Sequence, residues 1–372
     1  MSEANESSSH DADSKQSFLV NFLSNWKNAS QVTNTTRIAL FIVVGFFFIT
    51  TYATMTYPDQ IYQMAMASAN KCSRLFEPGS LKWNYSDGTF IWKPRNCALR
   101  YRSINESVAC MKELTRTTHE APYILFIGDS RARQLREGLI LALTGQDYDA
   151  VANRQARVDP AFHKALNNYA EVGTYFETAA SHLRFQWASF LDHGKGSLSQ
   201  LIRKLTEAEF KPSLVVVGLG AWQIRQYYYV NTTHKDGAKE YGEQFGKLLP
   251  LLQKLATFTN VIWLPQAAVH EQLLDDKHDM FTSKIMMMYN KKVRDQLELA
   301  RSSKGTPTIT YWQSAWEASL KINDGLDGVH YGYNTKHILI QMLVDWMCRP
   351  VSRNLEHVHD LQSSRSSDYC CY

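Results

Sequence analysis

Apolar and polar positions alternate in long blocks along the chain. The continuous apolar run YILFI (123–127) suits a strand buried on both faces, and RARQLREGLILALTG (131–145) carries helical periodicity up to a closing glycine. Strand-like runs recur at LRFQWASF (183–190), SLVVVGLG (213–220), NVIWLP (260–265) and TITYW (308–312), with helical periodicity around 238–256, 282–301 and 333–347. Strand alternating with helix implies a parallel sheet covered on both sides, so the expected architecture is an α/β three-layer sandwich with a parallel central sheet. No internal repeat interrupts it.

The ends break the pattern. Residues 1–36 are rich in Ser, Asn, Asp and Thr and hold too few apolar residues to fold alone, so they are expected to be a disordered tail. Residues 38–55 (IALFIVVGFFFITTYATM) carry no charge, and as a helix they extend roughly 27 Å, close to the thickness of a hydrocarbon core. The run is apolar all round and follows a polar tail longer than a signal peptide's charged region, so it is expected to be a transmembrane anchor. Lys27 and Arg37 flank its amino side and the first basic residues beyond it are Lys71 and Arg74, which keeps the amino terminus cytosolic. Residues 56–71 then read as a stalk, 72–350 as a lumenal domain whose first part, to Cys110, is irregular, and 351–372 as a loose polar tail.

Composition changes this picture little. The apolar fraction of 44% is ordinary for a globular core, and a net charge of +4 with no basic stripe interleaved with aromatics excludes nucleic acid as an expected partner. All six cysteines (Cys72, Cys97, Cys110, Cys348, Cys370, Cys371) follow the apolar run, as an oxidising compartment would require, and their spacing holds no zinc motif. Asn84, Asn105 and Asn231 head glycosylation sequons on the same side, but Asn5, Asn28 and Asn34 head others before the run, so sequons alone do not decide the topology.

The chemistry sits at two turns. Gly128-Asp129-Ser130 ends the strongest strand and opens a helix, which lifts a serine hydroxyl to the carboxyl edge of a sheet, where open α/β folds bind their ligands. Asp327-Gly-Val-His330 lies after the last strand and before the last helix. Serine is a poor nucleophile without an imidazole base and a group to orient it, and His330 and Asp327 supply both. The alternative for Ser130 is a helix N-cap hydroxyl, and Asp324 competes with Asp327. Arg131 and Arg133 work against the helix dipole, so they are either a solvated first turn or a cradle for an anionic sugar. Trp222 either lines an acceptor pocket or packs in the core. The last helix runs from His330 down to Cys348, and Cys110 precedes the first strand at that same lower edge. The expected disulfides are therefore Cys110–Cys348 and Cys72–Cys97.

These residues carry a resemblance. The arrangement resembles the SGNH hydrolase (PC-esterase) superfamily, and Cys72, Trp92-x-Pro94 with Cys97, Cys110, IGDSRARQL, VVVGLGAW (215–222) and DGVH with Cys348 are similar to the lumenal catalytic domain of the Golgi sialic-acid O-acetyltransferase family. A looser likeness reaches the plant wall-polysaccharide O-acetyltransferases, matched at Arg133. The resemblance implies an SGNH-type, flavodoxin-like sandwich in a Golgi type II membrane protein. It also implies that Ser130 is acetylated, with His330 as base and Asp327 as its partner. The substrate would be a glycan, with no bound cofactor and no metal, and the acetyl donor would derive from acetyl-CoA. SGNH hydrolases usually place an asparagine after the third strand, whereas this chain reads Gly218-Leu-Gly220-Ala-Trp222. Oxyanion donors are then expected from the Ser130 and Gly220 amides, with charge from Arg131 or Arg133. The family joins this domain to a multi-helix membrane domain that the sequence to Tyr372 does not show. The expectation is a separate membrane protein supplying acetyl groups, a lumenal donor, or water as acceptor in an O-acetylesterase. A catalytically silent glycan-binding scaffold is the reading from another class.

Overall fold

A computed structural model describes residues 74–356 except Asp87, Asn96, 149–171, Lys195 and 302–307. The expected tail (1–36), anchor (38–55), stalk (56–71) and Cys72 lie outside the described residues. No helix among the described residues is long and apolar enough to cross a membrane.

The elements in chain order are β1 (Gly79–Asn84), β2 (Thr89–Pro94), α1 (Ile104–Thr118), β3 (Tyr123–Gly128), α2 (Ser130–Thr144), β4 (Val172–Phe176), β5 (Ser181–Trp187), α3 (Leu198–Glu207), β6 (Leu214–Gly218), α4 (Ala221–Tyr229), α5 (His234–Leu255), β7 (Asn260–Trp263), α6 (Ser283–Arg301), β8 (Thr310–Tyr311), α7 (Gln313–Ile322) and α8 (Tyr333–Glu356). The main sheet has the order β4-β5-β3-β6-β7-β8. Near its centre is β3, the strand read first in the sequence, which is flanked in parallel by β5 and β6.

Strand side chains point alternately to opposite faces, and the core divides accordingly. Ile124 and Phe126 of β3 and Val216 of β6 join a cluster with Leu135 and Leu139 of α2 and Leu339 and Leu343 of α8. Leu125, Ile127, Val215 and Val217 join another with α3, α4, α5 and α6 through Leu201, Ile224, Phe245 and Met286. The result is a three-layer sandwich. Because β3 is flanked in the sheet by β5 on one side and β6 on the other, chain connections diverge at its carboxyl end, the position at which open α/β sheets form a crevice.

The sheet departs from the expected all-parallel arrangement at one edge, where β4 pairs antiparallel with β5. Only residues 177–180 join them, ending in Ala180 at φ 45°, and so short a connection cannot carry the chain back for a parallel pairing. The segment to Cys110 is also regular where irregular chain was expected. Strands β1 and β2 form a hairpin, and α1 begins at a capping box in which Glu106 N donates to Ser103 Oγ and Ser103 N donates to Glu106 Oε2. Helices α3, α4 and α7 are additional to the expected elements. Helix α8 runs past the expected end near 347, through Pro350 to Glu356, and into the stretch expected to be a loose tail. Helix α5 likewise contains Pro250.

Cys110 of α1 and Cys348 of α8 are joined by a disulfide with a Cα–Cα distance of 5.7 Å. Cys97 is also disulfide-bonded. Of the sequon asparagines, Asn105 and Asn231 are exposed and Asn84 is half-buried, accepting from the Ser86 hydroxyl at 2.9 Å. The Cys110–Cys348 bond closes a loop of 238 residues. Cys110→Ser is therefore expected to lower unfolding free energy by about 2–4 kcal/mol, measured by denaturant unfolding with and without reductant. Identical curves for the variant and the oxidised wild type would contradict this.

Candidate active site

The crevice holds the residues that the two sequence turns supplied. Ser130 is the first residue of α2, directly beyond β3. The entry into that helix is tight: Gly128 has φ +149°, and a Cβ there would fall 1.8 Å from the Gly218 carbonyl oxygen, so only glycine lets β3 and β6 approach this closely. Asp129 caps the helix, its Oδ1 accepting from the Arg131 amide at 3.0 Å. Burial pushes the Asp129 carboxyl above the ordinary carboxylate range, against the pull of the Arg131 guanidinium. The N-cap role thus falls to Asp129, and Ser130 is left for other work.

His330 Nε2 lies 2.6 Å from Ser130 Oγ, and His330 Nδ1 lies 2.8 Å from Asp327 Oδ2. The other Asp327 oxygen accepts from the backbone amides of Val329 (3.1 Å) and His330 (2.9 Å), which fixes the carboxylate relative to the ring it faces. Burial pushes the Asp327 carboxyl up, but the side chain, charge and amide of His330 and the amide of Val329 outweigh it. The group ends well below its usual range and is ionised at neutral pH. Asp324 is occupied elsewhere, its Oδ2 accepting from Asn334 N (2.8 Å) and Thr335 N (3.3 Å) at the start of α8. The structure thus brings Ser130, His330 and Asp327 into one hydrogen-bonded line, and Asp324 holds the helix that follows.

Two side chains of α2 secure the His330 loop from either side. Arg131 Nε donates to the Val329 carbonyl at 3.0 Å, one residue before the histidine. Gln134 grips the residue after it: Nε2 donates to the Tyr331 carbonyl at 3.1 Å, and the Tyr331 amide donates back to Oε1 at 2.9 Å. Arg131 Nη1 also donates to Gln266 Oε1 at 2.9 Å, and the backbone of Gln266 is held by both amide atoms of Asn290. Gln134 and Gln266 carried no role in the sequence reading. The signals were their positions: Gln134 lies one helical turn beyond Ser130, and Gln266 lies past the carboxyl end of β7.

The remaining expected site residues fall differently. Arg131 is 2% exposed and Arg133 is 6% exposed, with Arg133 Nε 3.4 Å from Glu137 Oε1. Neither is a solvated first turn; both side chains are buried. Trp222, by contrast, is not in the core; it is 36% exposed, with its ring centroid 6.1 Å from that of Trp187 in a T-shaped pair. Gly220 has φ +146° at the start of α4. Gly128 and Gly218 are level in the sheet, so Ser130 and Gly220, each two residues on, leave the same edge side by side. Neither of their amides donates to another described residue. No group of three His, Cys, Asp or Glu side chains among the described residues is arranged to hold a metal ion.

No family model matches the chain. It is 22% identical over 280 residues to the N-acetylneuraminate (7)9-O-acetyltransferase of Danio rerio, an alignment covering 74% of this chain and 31% of the relative, so the chain spans about a third of that protein's length. Among crystal structures it is similar to a protein described as a GDSL-like lipase from Parabacteroides merdae (14% identity, 61% of this chain and 97% of the other, TM-score 0.36). It is also similar to a catalytic mutant of Axe2, an acetylxylan esterase from Geobacillus stearothermophilus (16%, 61% and 94%, TM-score 0.31). Scores this low carry no functional argument. The likeness to the acetyltransferase and the mostly parallel α/β sheet are both in keeping with the resemblance to the SGNH-type enzymes. Within them its affinity is to the sialic-acid O-acetyltransferases.

The depressed Asp327 carboxyl has a consequence for stability. A folded-state pKa below the unfolded value contributes stability that is present above the unfolded pKa, near 4, and is lost as pH falls through the folded one. Asp327→Asn is therefore expected to lower the melting temperature at pH 7, with the gap from wild type closing as pH drops below about 4. A gap that stays constant over that range would show that the Asp327 charge contributes nothing to folding.

Proposed function

We propose that this chain is a carbohydrate O-acetyltransferase working through Ser130, His330 and Asp327. The observation that carries the reading is the 2.6 Å contact between His330 Nε2 and Ser130 Oγ, with Asp327 on the opposite ring nitrogen. Ser130 Oγ passes its proton to His330 Nε2 and attacks the carbonyl carbon of an acetyl donor derived from acetyl-CoA. The carbonyl oxygen takes the negative charge of the tetrahedral intermediate, and the unbonded amides of Ser130 and Gly220 are its donors. Collapse breaks the bond to the leaving group, which departs with the proton from His330 and leaves acetyl-Ser130. A glycan hydroxyl, on sialic acid or another sugar, then gives its proton to His330 and attacks the acetyl carbon. Collapse of this second intermediate releases the acetylated sugar and returns the proton to Ser130. Asp327 holds the ring in the required tautomer and stabilises the imidazolium formed in each half-reaction.

The likeness to an N-acetylneuraminate O-acetyltransferase supports the choice of sugar and reaction. The Cys110–Cys348 disulfide supports residence in an oxidising compartment, here the Golgi lumen, with residues 38–55 as the tether and the acetyl donor delivered by a separate membrane protein. A hydrogen-bonded triad supports an enzyme over a silent glycan-binding scaffold. Because His330 retains 19% side-chain exposure, water also reaches the base, which favours one second reading: an O-acetylesterase with the same acetyl-serine.

Incubation of the full-length chain with an aryl acetate tests the triad. Ser130→Ala is expected to lower hydrolysis by at least about 10³-fold and Asp327→Asn by about 10²–10⁴-fold. Equal rates for wild type and Ser130→Ala would remove the triad from the chemistry. Acetyl appearing on an added sialoside, rather than only in water, separates transferase from esterase.

A further inference from the structure

Helix α4 lies against the core through Gln223, Ile224 and Tyr227. Trp222, Arg225 and Tyr229 follow at the helical spacing that puts them together on another face. The Arg225 guanidinium sits 5.4 Å from the Trp222 ring centroid and 5.5 Å from that of Tyr229, and its Nη2 donates to the Tyr229 hydroxyl at 3.4 Å. Several other arginines pair with acids: Arg100 with Glu106, Arg102 and Arg349 with Asp345, and Arg294 with Glu298. Arg225 has no acidic partner among the described residues, so a half-buried cation is held between two rings with donors to spare.

The site next to it is the crevice. Gly128 of β3 is level with Trp187 of β5 on one side and Gly218 of β6 on the other. Two strand spacings therefore separate the strands that bring Trp187 and Trp222, about 10 Å, yet the two rings meet at 6.1 Å. They close over the end of β3, two residues before Ser130. Arg131 and Arg133 are buried, whereas Arg225 is partly exposed and open to a bound molecule.

We propose that Arg225, framed by Trp222 and Tyr229, binds the carboxylate of an acidic sugar whose apolar ring face lies on Trp187 and Trp222, beside Ser130. Guanidinium donates two parallel hydrogen bonds to a carboxylate, and stacking between rings keeps the fork oriented before the ligand arrives. Aromatic faces cover the C–H side of a sugar and leave its hydroxyls free to reach the triad. The inference rests on the reading of Ser130 as a carbohydrate-modifying nucleophile and makes the acceptor a carboxylate sugar in place of a neutral one.

The test separates binding from chemistry. In full-length Ser130→Ala, which cannot turn over, the methyl glycoside of N-acetylneuraminate and its neutral methyl ester are titrated by saturation-transfer NMR. With Arg225 intact the acid is expected to bind at least about tenfold tighter than the ester. Arg225→Ala is expected to abolish that preference and Arg225→Lys, which keeps the charge without the fork, to retain part of it. Trp222→Ala is expected to weaken acid and ester alike. No preference for the acid with Arg225 intact, including failure of both to bind, would overturn the proposal, as would a preference that survives in Arg225→Ala. Failure of the wider reading shows elsewhere, in aryl acetate hydrolysis that does not depend on Ser130.

Discussion

The arrangement depends on three hydrogen bonds that run from one helix to one loop. Arg131 reaches the carbonyl before His330 and Gln134 takes both backbone atoms of the residue after it, across about two hundred residues of chain. Each bond contributes about 0.5–1.5 kcal/mol net, but leaving a buried backbone group unpaired costs about 1–3 kcal/mol, so the loop has little freedom to settle elsewhere. Ser130 rides on the same helix as the two clamping side chains. Nucleophile and base therefore share one support, and their contact does not depend on matching two independently placed elements.

That support is rigid because of where it sits. Strand β3 is central, buried on both faces, and α2 leaves it at the point where Gly128 and Gly218 nearly touch. Helix α8, which follows His330 directly, packs on α2 and is joined to α1 by the Cys110–Cys348 bond. Asp324 fixes the beginning of α8 and the disulfide fixes a point further along it. The loop between Asp324 and Tyr333 is thus held at both ends as well as gripped in the middle.

Much of this was legible in the sequence. Residues 123–127 could be read as a central strand because a chain buried on both faces must be apolar without a break, and the Gly-Asp-Ser at its end placed Ser130. Asp327 was separable from Asp324 because three residues is one turn, the reach needed to bond the histidine ring. What was not legible depends on environment more than on type. Arg131 and Arg133 look like surface charges until the packing of α2 buries them, and Trp222 looks like core until its ring is found exposed and edge-on to Trp187. The hairpin and α1 were masked by the prolines and tryptophans around them, and β4 was too short and too glycine-broken to stand out as an apolar run. Gln134 was visible as a letter, but its grip on Tyr331 requires the chain ends to have met.

Helix α2 positions His330 on Ser130, and trapping the acyl-enzyme puts this to the test. Full-length wild type and Gln134→Ala, both confirmed folded by circular dichroism, are mixed with an aryl acetate, quenched in acid, and the acetyl group on the Ser130 peptide is followed by mass spectrometry. Acetylation of Ser130 is expected in wild type, with a rate lower by about 10²-fold in the variant, the scale expected when a base is displaced by about 1 Å. Equal rates, or acetyl found elsewhere than Ser130, would contradict it.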